Sequence, residues 1–514
     1  MKNVKYFRKF IFHRIVFSVL ALALQLFILI AAIIEFRNYF TLFYGSNIVL
    51  SLIVVLIIIN NKTNPAYKIG WIIPVLIFPI FGGLFYIFFG GNKLSKRTKN
   101  KMSLIEYKTV ESFSPNSQII DEIALQNENA ANQARYIHNY SFYPVYYNSY
   151  SEYLPTGELK FEKLKEELLK AEHYIFLEYF IVAEGEMWNS ILDILVEKVR
   201  QGVDVRVIYD DFGCLITLPY RYDKKLEKLG IKCRIFNPLV PILSSKLNNR
   251  DHRKIAVIDG KVGFTGGINL ADEYINKIER FGHWKDTAIM IKGEAVWSLS
   301  VMFLSMWDYL SGINEDFSRF KIESDIKQQK NSDGYIQPFA DSPLDGEPVG
   351  ETVYLNLIYK AKRYIYITTP YLIINNEMLT ALTSAAKAGV DVRIITPHIA
   401  DKWYVHAVTR SNYKVLVESG VKIYEYAPGF IHAKTLVADD EYGIVGTINM
   451  DYRSLYLHFE CGVWMYKTTS ILDLKEDFYE ITRMCKHITL EEIRSMKWYN
   501  KMIGSVLRVF APLM

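Results

Sequence analysis

The chain has little of what marks several large classes of protein. Its four cysteines in 514 residues (Cys214, Cys233, Cys461 and Cys485) show no CxxC spacing and no disulfide-framework density. That excludes a cysteine-stapled secreted scaffold or a zinc ribbon and suits free thiols in a reducing compartment. Excess charge of one sign is also missing: 60 Lys and Arg stand against 55 Asp and Glu, a formal net charge of +5. No global basic field therefore marks nucleic acid as the partner. Charge is absent altogether from residues 15–34, and no A-x-A cleavage site follows, so a removable signal peptide is not expected.

Half of the residues are hydrophobic, and they concentrate in the first ninety. The run 15–34, at about 1.5 Å per residue, matches a hydrocarbon core of roughly 30 Å. A second apolar run covers about 39–59. The third, 69–90, is uncharged but broken by Pro74, Pro79, Gly82 and Gly83. Residues 1–110 thus read as a membrane region with two or three hydrophobic segments, which places the protein in a cell membrane as a multi-pass chain. Lys2, Lys5, Arg8, Lys9 and Arg14 precede it, and Lys93, Lys96, Arg97, Lys99 and Lys101 follow it. The positive-inside rule puts both clusters, and the rest of the chain, on the cytoplasmic side, which requires an even number of crossings. Either the broken third segment is a re-entrant hairpin or the second run does not cross.

Beyond residue 110 the pattern is α/β and repeats itself. A strand at 174–180, a helix at 187–201 and Gly202-Val-Asp-Val-Arg206 have counterparts in a strand at 364–368, a helix at 377–388 and Gly389-Val-Asp-Val-Arg393. Strand–helix alternation of this kind predicts two α/β halves with mixed, largely parallel sheets, packed as a pseudo-twofold pair. The halves are expected at 111–325 and 326–490, and an amphipathic helix at 491–514 closes the chain.

Inside the repeat sits a doubled motif. His252-Arg-Lys254, Asp259 and Gly266-Gly-Ile-Asn269 match His432-Ala-Lys434, Asp439 and Gly446-Thr-Ile-Asn449, with intervals of two from His to Lys, five from Lys to Asp and ten from Asp to Asn in both copies. Residues i and i+2 of a strand share a face, so each His and Lys is expected to point into one pocket between the halves. Such a pocket suits phosphodiester chemistry. A neutral imidazole attacks phosphorus, and a second imidazole protonates the leaving alkoxide. Lys254 and Lys434, with Asn269 and Asn449 as phosphate ligands, stabilise the non-bridging oxygens, so no metal or other cofactor is expected. A carboxylate on the far nitrogen would fix each ring's tautomer. Trp284-Lys-Asp286 and His458-Phe-Glu460 follow the motifs at similar distances. Asp286 is assigned to His252 and Glu460 to His432 on that basis.

The doubled H-x-K-x4-D motif resembles that of the phospholipase D superfamily, and nearly the whole chain is similar to its bacterial cardiolipin synthases. Asn249 to Lys254, Gly266 to Tyr274, Gly429 to Lys434 and Gly446 to Ser454 carry the likeness, with Trp71, Pro79, Gly82, Gly83, Tyr86 and Gly90 in the N-terminal region. The resemblance implies a phosphatidyl-histidine intermediate on His252, with His432 as the acid. It implies transfer between two phosphatidylglycerol molecules with release of glycerol, a phospholipid substrate and a membrane partner, and structural duty for Asp259 and Asp439. The alternative is a membrane-bound phospholipase D that hands the lipid to water or another alcohol. Gly267 and Thr447 stand where the superfamily often has Ser, implying a changed phosphate contact, and His458 stands where relatives are expected to have Asn.

Other residues invite simpler readings. Arg253 alternates away from His252 and is expected in a salt bridge, and Glu178 suits a basic partner or a glycerol hydroxyl. Arg410 is a weak headgroup candidate. The apolar segment 238–243 either dips into a bilayer or lies under the domain. Residues 497–514 alternate Trp498, Met502, Val506 and Val509 with Lys497, Lys501 and Arg508, which suits an interfacial helix or docking on the core. Oligomeric state has no signature here.

Overall fold

The computed structural model describes residues 20–513 except 21–22, 25, 29, 32–33, 36–39, 62, 79–81, 84–85, 88–89, 91–95, 114–116, 240–247 and 322–333. The first apolar segment and the 238–243 loop therefore fall largely outside the described residues. In the first repeat the strands are β1 (Ser149–Leu154), β2 (Tyr174–Tyr179), β3 (Asp204–Asp210), β4 (Lys232–Phe236), β5 (Arg250–Asp251), β6 (Ile255–Ile258), β7 (Val262–Gly266), β8 (His283–Lys285) and β9 (Ala288–Gly293). The second repeat has β10 (Tyr335–Asp341), β11 (Tyr364–Thr368), β12 (Leu372–Ile373), β13 (Asp391–Pro397), β14 (Lys422–Tyr426), β15 (Gly429–Ile431), β16 (Thr435–Ala438), β17 (Tyr442–Gly446), β18 (Met450–Asp451), β19 (His458–Tyr466) and β20 (Cys485–Ile488).

One sheet runs β1-β9-β7-β6-β2-β3-β4 and the other β10-β19-β17-β16-β11-β13-β14-β20, so the repeat read from the sequence is a repeat of topology. The expectation of largely parallel sheets needs correction. Along the two main sheet paths, among the described residues, only β2–β3–β4 and β11–β13–β14 are parallel, the strands joined by crossover helices; every other neighbouring pair on those paths is antiparallel. The strands that follow each histidine motif form antiparallel hairpins, β6–β7 and β16–β17, closed by tight turns at Asp259 and Asp439.

The two sheets pack face to face. Along β6, Ile255 and Val257 join a cluster with Ile289, Ile291, Val437, Val445 and Val463 from both repeats. Ala256 and Ile258 turn the other way, into the helix layer of the first repeat, while Leu436 and Ile444 do the same in the second. This two-residue period, with both faces covered, explains why these short strands are apolar throughout. Helices Ser117–Gln126 and Glu128–Ser141 precede β1 in sequence, yet Ile123, Ala134 and Ile137 pack with Val353 and Leu357 of the second repeat.

Ahead of the repeats, helix Phe40–Asn60 turns into helix Pro65–Ile77 through Asn64, whose side chain caps Ala66 N at 2.9 Å with Pro65 in the first turn. Asn64 also donates to Tyr456 Oη (3.0 Å), and the Tyr67 ring meets Tyr452 and Tyr456 edge-on, tying this turn to the second repeat. Past Ile77 the chain doubles back. Gly82 lies so close to the Pro74 and Val75 backbone that a Cβ there would stand 2.4 Å from Pro74 O, and Tyr86 returns to Trp71 and accepts from Asn61 Nδ2. Among the described residues no helix is long and apolar enough to cross a membrane; the side chains of helix Phe40–Asn60 are described only from residue 45 onward. The C-terminal helix Trp498–Phe510 docks through Gly504 against Ala407 and through Leu507 beside Val405 and Val408. Trp498, Met502, Val506 and Val509 face outward.

Candidate active site

Each histidine is delivered by a strand that crosses into the other repeat. β5 pairs in parallel with β19, placing Asp251 opposite Phe459, and His252 N then donates to Phe459 O at 2.9 Å. The mirror event pairs β15 with β8, and His432 N donates to Lys285 O at 2.7 Å. Both histidines therefore lie beside the carboxylate of the opposite half. His252 Nδ1 contacts Glu460 Oε1 and Oε2 at 2.9 and 3.0 Å, and His432 Nδ1 contacts Asp286 Oδ2 at 2.7 Å. The sequence assignment of Asp286 to His252 and Glu460 to His432 is thus reversed. Spacing along the chain reports distance within a repeat, whereas the partner is set by the ladder between repeats.

All four side chains are buried. Engagement of Nδ1 leaves Nε2 of both rings as the nitrogen available to a substrate. Burial first, then the charges of Lys254 and Lys434, hold His252 well below the ordinary imidazole range. His432 is brought down to about 4 by burial and Lys434, against the pull of Asp286, whose carboxyl is itself held low by His432 and Lys434 despite its burial. These shifts favour the neutral form of both rings, the form that can attack phosphorus.

Both lysines leave the two-face pattern expected of a strand. Residues 252–254 and 432–434 form short links between strands, and each Nζ donates to the carbonyl of its own histidine, Lys254 to His252 O at 2.5 Å and Lys434 to His432 O. Burial lowers Lys254 to about 8 and Lys434 to about 7. The asparagines differ. Asn269 Oδ1 accepts from Ile181 N (2.9 Å) and Nδ2 donates to Tyr274 Oη (2.7 Å), whereas Asn449 Oδ1 is buried with no hydrogen-bond partner.

Asp259 and Asp439 lie away from the histidines and do the same structural work. Asp259 accepts from the backbone N–H groups of Glu172, His173 and Tyr174 (2.7–2.8 Å), and Asp439 from those of Lys362, Arg363 and Tyr364 (2.7–3.0 Å). Each sits at positive φ, +50° and +57°, so one carboxylate closes a hairpin turn and anchors the first parallel strand beside it.

The two departures at the Ser position acquire a different meaning. Thr447 Oγ1 donates to Glu460 Oε2 at 2.5 Å, and a Cβ at Gly267 would stand 2.0 Å from Asp286 Oδ1. This position therefore serves the orienting carboxylate: a hydroxyl braces the longer Glu460, and bare backbone makes room for Asp286, whose Oδ1 accepts from Thr287 N (2.8 Å). Spacing gave no hint of that role. Nor did it mark the aromatic walls, Phe180 5.1 Å from the His252 ring, and Tyr274, Trp284 and Phe430 at 5.6–5.9 Å from His432. Arg253 pairs with Glu178 (2.6 Å) and Asp251 (3.2 Å) as expected for a structural bridge. Arg410 is held by the buried Glu425 through two hydrogen bonds of 2.7–2.8 Å, which removes it as a free headgroup ligand.

Two α/β repeats that exchange carboxylates around paired histidines define a two-repeat enzyme of the phospholipase D class. A family model described as "Cardiolipin synthase, PLD-like domain" matches residues 164–307 and 354–482, and one described as "Phospholipase_D-nuclease N-terminal" matches 49–91. The chain is 35% identical over 463 residues to a cardiolipin synthase of Halalkalibacterium halodurans, covering 90% of this chain and 91% of that one. It is 37% identical over 465 residues to one from Geobacillus kaustophilus (90% and 91%), and 35% identical over 507 residues to one from a Geobacillus species (98% and 99%). A phosphatidylserine synthase from Haemophilus influenzae shares the fold at TM-score 0.56 and 16% identity, covering 74% of this chain and 97% of that one. The chain belongs to the bacterial cardiolipin synthase family of the phospholipase D superfamily.

Proposed function

We propose that the protein transfers a phosphatidyl group from one phosphatidylglycerol to another, giving cardiolipin and glycerol, through a covalent intermediate on His252. The crossed histidine–carboxylate pairs are the observation that carries this reading. Neutral His252 Nε2 attacks phosphorus while the P–O bond to the headgroup glycerol breaks, and the departing oxygen takes the proton on Nε2 of His432. The anionic diester places negative charge beside His432 and so favours the protonated ring that this step needs. His432, now neutral, removes the proton from the primary hydroxyl of a second phosphatidylglycerol. That oxygen attacks phosphorus, the P–N bond breaks, and His252 is regenerated. Asp286 stabilises the His432 imidazolium, Glu460 holds His252 in the Nδ1–H tautomer, and Lys254, Lys434 and Asn449 face the charge that grows on the phosphoryl oxygens. Donor and product are both diesters of primary alcohols, so the exchange is close to isoenergetic and needs no nucleotide.

The substrate is a lipid, and the reading extends to the N-terminal region as a membrane anchor. Outward-facing Leu52, Ile53, Leu56 and Ile57 on helix Phe40–Asn60 support contact with hydrocarbon. The return of Gly82 and Tyr86 to helix Pro65–Ile77 supports a hairpin that enters and leaves on one side, which leaves an even number of crossings and a cytoplasmic catalytic region. Incubating the purified protein with phosphatidylglycerol as sole lipid tests the reaction: cardiolipin and glycerol are expected, with phosphatidic acid in the minority, and added glycerol should drive the reaction backwards. Dominant phosphatidic acid with no reversal by glycerol would replace this reading with a hydrolase.

A further inference from the structure

Among the described residues, His458 is the one imidazole at the active site that the mechanism does not use. It is buried, with neither ring nitrogen hydrogen-bonded, and its ring centroid lies 5.5 Å from that of His252. Its Nδ1 stands 3.6 Å from Glu460 Oε1, the same oxygen that lies 2.9 Å from His252 Nδ1. Among the described residues, His252, His458 and Glu460 are the group of three potential metal ligands whose donor atoms all lie within 4.8 Å of one another.

We propose that these three residues form an inhibitory site for a borderline-soft divalent ion of the zinc type. A tetrahedral ion with bonds of about 2.0–2.1 Å holds its donors roughly 3.3 Å apart. The two separations to Glu460 Oε1 lie on either side of that distance and all three donors lie within 4.8 Å of one another, so side-chain rotation that draws the two imidazole donors together brings all three to the ion. Two imidazoles and one carboxylate favour zinc or cobalt over magnesium, which wants a shell of oxygens. Lys254 and Lys434 oppose a cation here, and the carboxylates of Glu460 and Asp286 act against them. Unpartnered nitrogens on a buried ring are costly, and an ion satisfies one of them.

Occupancy stops the reaction by one of two routes. An ion on His252 Nδ1 displaces the Glu460 hydrogen bond and moves the ring proton to Nε2, removing the lone pair that attacks phosphorus. An ion on Nε2 takes that lone pair directly. No bond to substrate forms in either case, and the ion is not consumed. The loss of activity rests on the reading of His252 as a reacting group; the binding does not.

Two measurements test the proposal on the full-length protein. Cobalt(II) titration, followed by visible absorption, should give one ion per chain with the intense bands of a four-coordinate site. Zinc titration of phosphatidyl transfer, with magnesium as control, should inhibit the parent while magnesium does not. His458→Asn removes one donor, and the zinc concentration giving half-inhibition, normalised to that variant's own activity, should rise by roughly tenfold or more. The same half-inhibiting concentration in His458→Asn and parent overturns the proposal. So does absence of the cobalt band in the parent, a result that needs neither the variant to fold nor the transfer activity to exist.

Discussion

Replacing Glu460 by Gln and Asp286 by Asn separates the two halves of the site and tests the crossed pairing. Glu460 is wholly buried and contacts His252 Nδ1 through both oxygens at 2.9 and 3.0 Å, so its charge stands within about 4 Å of the ring on which positive charge develops. At an effective dielectric of about 20, a unit charge at that distance is worth about 4 kcal/mol, or roughly a thousandfold in rate. A similar loss is expected for Asp286→Asn at His432. The two variants should diverge with a phosphatidyl donor whose leaving group is p-nitrophenolate, which departs without a proton. His432→Ala and Asp286→Asn should then both release an initial burst of p-nitrophenolate near the parent rate, while His252→Ala and Glu460→Gln should not. The pairing is read from which variants group together, so the test does not depend on which histidine is the nucleophile. If Asp286→Asn behaved like His252→Ala, and Glu460→Gln like His432→Ala, the crossed geometry would be refuted.

Asp259→Ala should lower stability by about 3 kcal/mol, because three backbone N–H groups lose their acceptor, and Asp439→Ala should do the same by denaturant midpoint. Full stability with lost turnover in either variant would make that aspartate catalytic. Burial brings Lys434 to about 7 and Lys254 to about 8, so their cationic fraction falls as pH rises through that window. The kcat/KM for phosphatidylglycerol should decline by up to about tenfold per pH unit above it; a level profile to pH 9.5 would remove the lysine cations from the mechanism. In a Cys485→Ser background, labelling of Asn38→Cys and Arg97→Cys from opposite faces of sealed vesicles should place residue 38 outside and residue 97 inside, and equal labelling from one face would reject the even-crossing topology.

Much of this site was legible in the sequence because its information is local and doubled. The intervals from His252 to Asn269 and from His432 to Asn449 are equal because each spans one strand, a three-residue hairpin turn (259–261 and 439–441) and the return strand, and Asp259 and Asp439 open that turn in both copies. GVDVR at 202–206 and 389–393 likewise marks the same parallel strand twice. Overstatement of the parallel character came from extending these crossover units to the whole sheet, when the strands after each histidine are hairpins.

What the chain order could not carry is which groups meet across the interface between the repeats. The fit of β5 against β19 and β15 against β8 hands each histidine to a carboxylate of the other half, and hydrogen bonding between separate segments leaves no interval to count. For the same reason Thr447, Gly267 and His458 read as small departures in the linear motif and acquire their meaning only around Glu460 and Asp286. Sequence alone determined the repeat, the paired motif histidines and the two turn aspartates, since backbone geometry fixes those over a few residues. The tertiary structure decided who orients whom, because that depends on packing two sheets face to face.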